Sequence, residues 1–506
     1  MKGLCERYLA SDRFMAAREA TRHQFSRIVR IAWRHRRRRW VFNLDLEDFF
    51  PSINFGRVRG FLLKNRDFEL HADVATVIAQ IACHDNSLPQ GSPCSPVISN
   101  LVAHLLDMRL VKLGSESGCT YSRYADDLTF STNKKEFPAA IAVPSGTEGD
   151  AAHVWVPGEA LRKIVERTGF RINPKKTCLM YRGARQEVTG LVTNAKISVR
   201  WEYRHNVRAM VHGLVKTGEF EILGAKQQNG QPALEMRPGT PDELHGMLGF
   251  IDSIDVYNRT HTSGWAAHGM SSREKTYREF LMYSDFYAAP APVIICEGET
   301  DNIYLTHAIR SLVAEFPDLA EVLPDKKIRL KVRLYKYPHS STARLLGLMD
   351  GGSSVLGKFI AAYKKETKKF TGPGLTSPVV IVYDHDQGAG SVRSAIKEAA
   401  KVVVTDGDPF VHVIKNMYAV HTPGANPSKI EDVFDAATKA TLVDGKSFND
   451  GNDFDAARHY GKKVFAHKVV RAKADSLNFE GFRPLLTNIV AAILKHKASN
   501  PPQMGA

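Results

Sequence analysis

The stretch Asn43-Leu44-Asp45-Leu46-Glu47-Asp48-Phe49-Phe50 decides how this chain is interpreted, together with Tyr124-Ala125-Asp126-Asp127 further along. In both stretches the acidic residues come at the end of an apolar segment that has the pattern of a strand. Apolar residues flank Asp126 and Asp127 on both sides, as they would in a β-hairpin. Carboxylates gathered at strand ends repel each other, and divalent metal ions between them make that arrangement tolerable. The two stretches therefore predict a metal-dependent active site in the first half of the chain.

A second set of acidic residues follows two apolar segments in the second half of the chain. Glu297 comes directly after residues 293–296, and Asp384 comes directly after residues 379–383. Strand patterns alternate here with helical patterns, which is typical of a mostly parallel α/β sheet. Ligands of such sheets bind at the carboxyl ends of the strands. The sequence therefore predicts a second metal-dependent site that is far from the first along the chain.

The chain is strongly basic. Its 69 Lys and Arg residues against 54 Asp and Glu residues give a net charge of +15 and a pI near 9.4. This charge favours a polyanionic partner such as a nucleic acid. Residues 1–40 hold 12 basic and 3 acidic residues, a net charge of 12 − 3 = +9, and this break in composition sets them apart from the rest.

The sequence also excludes some classes of protein. The six cysteines form no Cys-x-x-Cys motif, so neither a zinc ribbon nor a disulfide framework is indicated. No apolar run is long enough to cross a membrane, and the N-terminus lacks the pattern of a signal peptide. We expect a cytoplasmic protein that does not associate with membranes.

Changes in pattern divide the chain into four segments. Residues 1–40 form an arginine-rich N-terminal segment, and residues 41–195 alternate apolar segments with turns. Residues 196–287 form the third segment, in which residues 198–285 are mainly helical in pattern and partly basic. After Ala288-Ala289-Pro290-Ala291-Pro292 the α/β rhythm begins, and it continues over residues 288–506.

Three local predictions bear on the fold. A helix is expected from Val74 to Cys83, with Val74, Ile78 and Ile81 on one face and Asp73 as its N-cap. Residues 328–335 and residues 411–420 each have the pattern of one strand.

Four motifs occur in an order and spacing that resemble a reverse transcriptase. They are Asn43 to Phe50, Leu88-Pro89-Gln90-Gly91-Ser92-Pro93, Tyr124 to Asp127, and Gly169-Phe170-Arg171-Ile172-Asn173-Pro174-Lys175-Lys176-Thr177. Gln186-Glu187-Val188-Thr189-Gly190 then looks like the Val-Thr-Gly box of retron reverse transcriptases. The resemblance covers about residues 40–285. It implies a right-hand polymerase palm with fingers elements over residues 41–195 and a helical thumb and connector over residues 196–287.

This resemblance assigns the first acidic cluster to nucleotide addition. Two Mg²⁺ ions activate the attacking hydroxyl and neutralise the leaving pyrophosphate in such enzymes. Asp45 and Asp126 would bridge the two metal ions, and Asp127 would support them.

The resemblance also implies residues that handle the incoming nucleotide. Phe50 would be the steric gate, an aromatic ring where a ribose 2′-hydroxyl would otherwise lie, unless it is an ordinary core residue. Gln90 and Gly91 would shape the nucleotide pocket. Lys175 or Lys176 would protonate pyrophosphate or hold the triphosphate, and we favour Lys176.

Retron reverse transcriptases begin DNA synthesis from the 2′-hydroxyl of a guanosine in their own structured RNA. The resemblance therefore implies a cognate structured non-coding RNA and deoxynucleoside triphosphates as partners. It also implies an RNA–DNA hybrid and a multicopy single-stranded DNA product. The thumb would recognise the shape and backbone of the RNA.

Residues 288–506 resemble a Toprim domain, as found in topoisomerases, primases and related nucleases. Glu297-Gly298-x-x-Asp301 and Asp384-x-Asp386 carry this resemblance. It implies that Glu297, Asp384 and Asp386 hold one or two Mg²⁺ or Mn²⁺ ions. Asp301 would be a ligand of a second metal ion or an N-cap of its helix.

Two further residues complete the predicted nuclease site. Glu431 would be an additional metal ligand, and Lys462 would stabilise the charge that develops on a phosphate or would be an ordinary surface lysine. The whole chain thus resembles a retron reverse transcriptase fused to a Toprim nuclease effector. This implies a place in the bacterial cytoplasm, a role in anti-phage defence and a nucleic-acid substrate for the nuclease.

The N-terminal segment departs from the retron pattern. Ile31-Ala32-Trp33-Arg34-His35 matches the Asn-Ala-x-x-His box except for its asparagine, and 44 residues before Asp45 are too few for complete fingers. Residues 1–40 are then either truncated or aberrant fingers or an arginine-rich RNA-binding arm. The alternative function is a catalytically impaired scaffold that binds the RNA–DNA hybrid and controls the nuclease. An intron or diversity-generating reverse transcriptase is a third interpretation, which the Val-Thr-Gly box and the Toprim half disfavour.

Overall fold

The computed structural model describes residues 27–146, 154–228, 231–262, 269–336, 341–349, 351–405, 407–424, 427–451 and 453–500. The chain divides into two compact units. The first contains residues 1–204 and 254–265, and the second contains residues 205–253 and 266–506. The segment predicted to be the thumb, residues 196–287, is therefore divided between the two units.

The first unit contains an antiparallel sheet of four strands. They lie side by side in the order β2 (Thr120–Tyr124), β3 (Asp127–Thr132), β1 (Trp40–Glu47) and β6 (Arg171–Tyr181). Phe42 and Leu44 of β1 and Phe130 of β3 are fully buried in the core beside it. The strands of this unit are β1 (Trp40–Glu47), β2 (Thr120–Tyr124), β3 (Asp127–Thr132), β4 (Ala142–Pro144), β5 (Trp155–Pro157), β6 (Arg171–Tyr181), β7 (Glu187–Val188) and β8 (Leu191–Val192).

The helices of the first unit form the other part of its core, but one of them buries a different face from the predicted one. They are α1 (Phe55–Lys64), α2 (Ala72–Ala82), α3 (Ser95–Val102), α4 (His104–Glu116) and α5 (Glu159–Arg167). In α2 the buried residues are Ala75, Ala79 and Ala82, whereas Val74 is 48% exposed and Ile81 is 79% exposed. Small side chains let this helix approach its neighbours closely, and packing therefore overrode the apolar periodicity. The prediction of the N-cap was also wrong, because His71 takes that position instead of Asp73.

Residues 27–40 are part of the first unit, although their composition set them apart. Residues 27–34 are helical, and Val29 and Ala32 are fully buried. The ring of His35 is also fully buried, with one nitrogen 2.7 Å from the Ser131 hydroxyl and the other 2.7 Å from the Ser122 hydroxyl. Burial lowers the pKa of His35 to about 3, and the charges of Arg38 and Arg34 act in the same direction. The predicted segment 1–40 thus includes residues that anchor the chain to the sheet, and residues 1–26 lie outside the described residues.

The second unit contains a five-stranded sheet. Its strands lie side by side in the order β14 (Arg333–Leu334), β11 (Val293–Ile295), β15 (Val379–Tyr383), β17 (Met417–His421) and β16 (Val411–Ile414). The pairings β14–β11, β11–β15 and β15–β17 are parallel, and β16–β17 is antiparallel. The parallel pairing brings the carboxyl ends of β11 and β15 next to each other. The strands are β9 (Glu221–Gln228), β10 (Gln231–Pro238), β11 (Val293–Ile295), β12 (Ala320–Val322), β13 (Ile328–Leu330), β14 (Arg333–Leu334), β15 (Val379–Tyr383), β16 (Val411–Ile414), β17 (Met417–His421), β18 (Ser447–Phe448) and β19 (His459–Tyr460).

The remaining helices continue the numbering along the chain. They are α6 (Trp201–Thr217), α7 (Pro241–Thr260), α8 (Ser272–Met282), α9 (Glu299–Ser311), α10 (Ser341–Leu346), α11 (Ser353–Glu366), α12 (Gly390–Ala400), α13 (Ala436–Lys439), α14 (Lys462–Val464) and α15 (Arg483–Ser499). Across the described ranges, no helix has the length and apolar character needed to cross a membrane.

Two strand predictions in the second unit were wrong for physical reasons. Residues 411–420 form the hairpin of β16 and β17, because Lys415 adopts a left-handed φ of 55° at the turn. Residues 328–335 are divided between β13 and β14, which belong to different sheets. Residues 221–238, in the segment predicted to be helical, form the hairpin of β9 and β10.

Candidate active sites

The first acidic cluster is assembled by strand pairing in the first unit. Asp45 of β1 is the direct register partner of Asp127 at the start of β3. The backbone N–H of Leu46 donates to the carbonyl of Asp126 across 3.1 Å, which ties the hairpin tip to β1. The predicted residues Asp45, Asp126 and Asp127 are thus brought together.

The hairpin that carries this cluster has a tight turn. Tyr124 of β2 pairs directly with Asp127 of β3, so Ala125 and Asp126 alone form the connection. Ala125 has a φ of 52°, in the left-handed region that residues with a Cβ atom rarely adopt. The turn therefore places the Asp126 carboxylate at the tip of the hairpin at some conformational cost.

The three carboxylates influence each other electrostatically. The pKa of Asp127 is raised to about 6, first by partial loss of hydration and then by the like charges of Asp126 and Asp45. The pKa of Asp126 is raised as well, mainly by desolvation and also by Asp45. Asp45 is almost fully buried. The three carboxylates therefore concentrate negative charge at a partly dehydrated position, and this favours the binding of a cation.

Lys176 supplies one cation to this cluster. Its Nζ atom lies 3.1 Å from Oδ2 of Asp45, and this contact raises the pKa of Lys176. Strand β6 pairs with β1, which explains how Lys176 comes beside Asp45. Lys175 lies on the same strand, and its backbone N–H bonds to the side chain of Asn173. The geometry thus distinguishes two lysines that the sequence left as alternatives.

The other predicted nucleotide-binding residues lie around this sheet. Phe50 is half-buried at the edge of the core, in edge-to-face contact with Phe49. Gln90 and Gly91 are exposed in the loop before α3, and Gly91 has a φ of 92°. Their roles in binding a nucleotide stay predictions.

The second acidic cluster lies at the carboxyl ends of β11 and β15. The carboxylate of Glu297 accepts hydrogen bonds from the backbone N–H of Ser353, at 2.8 Å, and of Asp384, at 3.3 Å. Asp384 in turn accepts from the backbone N–H of Ile430 at 2.9 Å. The buried Asp301 accepts from the backbone N–H of Gly298 at 2.7 Å. Gly298 is the N-cap of this helix and Asp301 is its third residue, so the prediction of Asp301 as the N-cap was wrong.

Glu431 and Lys462 belong to the same cluster. Glu431 is buried, and its Oε2 atom lies 2.9 Å from Nζ of Lys462. The charges of Glu431, Asp384 and Asp301 raise the pKa of Lys462. Lys462 is therefore an ion-pair partner within the cluster and not an ordinary surface lysine.

Burial and mutual repulsion perturb these acids. The pKa of Asp384 is raised to about 7, by burial first and then by the charges of Asp301, Glu297 and Glu431. Burial and Glu431 likewise raise the pKa of Asp301 to about 7. The charge of Asp386 also helps to raise the pKa of Glu297. The acids that the Toprim resemblance assigns to metal binding, with Glu431 and Lys462, thus interact electrostatically.

Sequence reasoning did not find the role of one loop. Gly351 has a φ of 65°, and a Cβ atom there would lie 2.9 Å from the Glu297 carbonyl oxygen. The N–H of Gly352 donates to the same oxygen at 2.8 Å. The loop thus holds Glu297 by its backbone, and the Gly-Gly pair is the signal in the sequence that would have indicated a close approach.

Both clusters offer the donor atoms that divalent cations prefer. Their ligands are carboxylate oxygens, which suit Mg²⁺ and Mn²⁺. Oε1 of Glu431 is buried without a hydrogen-bond partner among the described residues, as a vacant ligand atom would be. Among the described residues, no group of three His, Cys, Asp or Glu side chains is already close enough together to hold one metal ion. The residues therefore fit a metal ion in composition, and side-chain movement would complete the coordination.

Comparison with known proteins finds a family match in the first half of the chain. Residues 10–226 match the family "Reverse transcriptase (RNA-dependent DNA polymerase)". Retron Mx162 reverse transcriptase of Myxococcus xanthus is 33% identical over 236 residues, covering 42% of this chain and 44% of the relative. Retron Ec86 reverse transcriptase of Escherichia coli is 32% identical over 217 residues, covering 43% of this chain and 56% of the relative. The chain thus spans about half the length of these curated relatives.

A solved structure of telomerase from Candida albicans with a fragment of telomeric RNA is also similar. The matched region covers 69% of this chain and 54% of the telomerase chain. Its TM-score is 0.26 at 9% identity. The family match includes Asp45, Asp126, Asp127 and Lys176, whose geometry is described above. Residues 10–226 therefore contain a reverse transcriptase domain that is similar to those of retron reverse transcriptases.

Proposed function

We propose that the chain is a retron-type RNA-directed DNA polymerase that copies a cognate structured non-coding RNA into multicopy single-stranded DNA. The observation that carries this proposal is the pairing of Asp45 with Asp127, with Lys176 at 3.1 Å from Asp45, inside the matched domain. A protein that only binds nucleic acid gains nothing from paired carboxylates facing a polyanion.

Asp45, Asp126 and Asp127 would hold two Mg²⁺ ions, which when bound activate the attacking hydroxyl and neutralise the pyrophosphate. Lys176 would hold the triphosphate and give a proton to the leaving pyrophosphate, because its ammonium group is adjacent to Asp45.

Three residues would select the nucleotide. The ring of Phe50 would exclude a ribose 2′-hydroxyl and so select deoxynucleotides. Gln90 and Gly91 would contact the incoming nucleotide, since the backbone of Gly91 has no side chain to obstruct the approach.

The test is deoxynucleotide addition by the purified chain on a primed RNA template with Mg²⁺. An Asp126→Asn, Asp127→Asn double variant is the matched control, because it keeps the size of both side chains. We expect synthesis by the wild type and a loss of at least about 1,000-fold in the control. RNA binding without synthesis by the wild type would contradict the polymerase proposal and favour the scaffold.

For the second unit we propose a metal-dependent Toprim-type nuclease that acts as an effector in anti-phage defence. Its support is the convergence of Glu297 and Asp384 at adjacent strand ends, together with the raised pKa values of Asp384 and Asp301. Glu297, Asp384 and Asp386 would hold the metal ions, with Asp301 and Glu431 near them. Lys462 would stabilise negative charge on the phosphate that is cleaved.

Expression of the chain in bacteria tests this second proposal. Asp384→Asn should remove toxicity and Mg²⁺-dependent cleavage of nucleic acid while deoxynucleotide addition is retained. Toxicity or cleavage that survives this substitution would refute the nuclease assignment. Exposed Asp325, which is paired with Lys327 on the surface, supplies the control variant Asp325→Asn.

A further inference from the structure

A small basic cavity in the first unit lies among residues that belong to neither acidic cluster. Its volume is about 210 Å³, and its lining includes Trp33, Arg36, Arg37, Lys196 and His261. We call it the Trp33 pocket. No acidic residue is among the described residues that line it. Pockets for drug-sized ligands measure about 300–1,000 Å³, so this cavity suits one flat group of smaller size.

Aromatic rings form one side of the Trp33 pocket. The ring centroid of Trp33 lies 5.6 Å from that of Tyr257 and 5.5 Å from that of His261. Tyr257 and His261 are stacked on each other at 4.0 Å. The guanidinium of Arg36 lies 3.5 Å above the Trp33 ring. Flat surfaces of this kind bind nucleobases irrespective of sequence, because every base has a π-face.

In the described part of the chain, three cations also line the pocket, and one of them, Arg36, lies over the Trp33 ring. Arg37 and Lys196 are exposed, and desolvation together with the charges of Arg37 and Arg38 lowers the pKa of Arg36. Arg37 is fixed by its Nε atom, which donates to the carbonyl of Ala195 at 3.0 Å, and by a backbone φ of 56°. An anion that binds beside Arg36 and Arg37 would relieve the repulsion between their charges.

The pocket is also anchored to the fold beneath it. Asn258 is buried, accepts from the backbone N–H of Ile197 at 3.2 Å and donates to the carbonyl of the same residue at 2.8 Å. These two bonds fix the backbone beside Lys196 against the helix that carries Tyr257. The aromatic and basic sides therefore keep their spacing.

We propose that the Trp33 pocket binds one unpaired nucleotide of a single-stranded nucleic acid, with its base against Trp33 and His261 and its phosphate against Arg37 and Lys196. The combination of an aromatic surface with clustered cations carries this inference, because either feature alone would fit other ligands. The strand comes from RNA or from single-stranded DNA, which share this chemistry. The site would hold a strand outside the two acidic clusters.

The test is fluorescence anisotropy of the full chain with a labelled, unstructured RNA of about 12 nucleotides and with DNA of the same sequence. EDTA is present, so neither nucleotide addition nor hydrolysis occurs. The variants are Arg37→Gln with Lys196→Gln, and separately His261→Ala. Arg162→Gln is the control, because Arg162 is an exposed arginine on α5 that does not line the pocket.

We expect the double variant to bind about 10-fold more weakly and to make the slope of log K against log salt less steep by about 0.7, since one neutralised phosphate on a single strand contributes about 0.7. His261→Ala should weaken binding about 5- to 10-fold with no change in that slope. The oligonucleotide that shows these differences identifies the source of the strand. Affinities and slopes equal to those of Arg162→Gln, for both oligonucleotides, would overturn the proposal.

A second measurement covers the case in which a variant does not fold. Wild-type chain is cross-linked to RNA that contains 4-thiouridine, or to DNA that contains 4-thiothymidine, and the modified peptides are sequenced. Adducts on the peptides of Trp33 or His261 are expected, and cross-links confined to other peptides would overturn the inference. The polymerase-inactive Asp126→Asn, Asp127→Asn variant should cross-link through the same peptides as the wild type, so failure of the proposed polymerase leaves this result unaffected.

Discussion

Asp45 and Asp127 are register partners on adjacent antiparallel strands, and Lys176 on the opposite neighbour of β1 is within 3.1 Å of Asp45. Three strands that are distant in sequence thus bring two carboxylates and one ammonium group to the same place on the sheet. This arrangement makes the role of the lysine testable apart from that of the acids.

Lys176→Ala should lower the rate of deoxynucleotide addition by about 100-fold or more, because the proposed proton donor to the leaving pyrophosphate would be lost. Lys175→Ala is the matched control, since Lys175 is the adjacent residue on the same strand. Single-turnover kinetics on a primed RNA template measure the effect. Equal rates for the two variants would remove Lys176 from the mechanism.

His35 should make the stability of the first unit depend on pH. Its pKa is about 3 in the folded chain and about 6.5 when unfolded, so the unfolded chain binds more protons between these values. The stability contributed by neutral His35 is fully present above pH 6.5, and it falls by about 1.4 kcal/mol per pH unit as the pH decreases toward 3.

Urea unfolding followed between pH 7.5 and pH 4 measures this dependence. A His35→Gln variant, which keeps a polar side chain between Ser122 and Ser131, should show a smaller loss of stability over the same range. Parallel curves for the two proteins would show that His35 is not the group that titrates.

Lys462→Ala should destabilise the second unit because it leaves buried Glu431 without its cation. Removal of one partner of a fully buried pair costs about 3–5 kcal/mol, but Lys462 is 37% exposed, and solvent reduces the expected loss to about 1–2 kcal/mol. Lys463→Ala is the control, since Lys463 is the exposed neighbour.

A double-mutant cycle with Glu431→Gln isolates the pair. Lys462→Ala should cost less in the Glu431→Gln background, since the uncompensated charge is then absent. A cost that is the same in both backgrounds would mean that the two residues do not interact energetically.

Removal of divalent metal should lower the stability of the chain at both acidic clusters. Mg²⁺ at 100 times its dissociation constant stabilises a folded site by about 2.7 kcal/mol. Differential scanning calorimetry with Mg²⁺ and with EDTA should show a smaller metal effect in Asp45→Asn and, separately, in Asp384→Asn. Asp325→Asn should keep the full effect, and an equal metal effect in all of these proteins would argue against ligation at the clusters.

The sequence was sufficient for the parts of the sites that lie near one another along the chain. The hairpin around Asp126 and Asp127 and the strand that contains Asp45 were predicted from short apolar patterns, because strand and turn propensities act locally. The prediction of which face of α2 is buried was wrong, because Ala75, Ala79 and Ala82 fit a close helix contact that no local pattern describes. The hairpin of β16 and β17 was missed because its turn at Lys415 and Asn416 has no glycine to interrupt the apolar alternation.

The sequence by itself determined the chemistry of the chain: which residues are acidic, which strands they follow and which family the first half resembles. Only the tertiary structure decided that Lys176 rather than Lys175 is beside Asp45, and that Glu431 and Lys462 join the acids of the second unit. It also showed how His35 ties residues 27–40 to the sheet. The physical reason is that side-chain identity is a local property, whereas contacts between distant segments follow from strand register and packing, which the whole core sets at once.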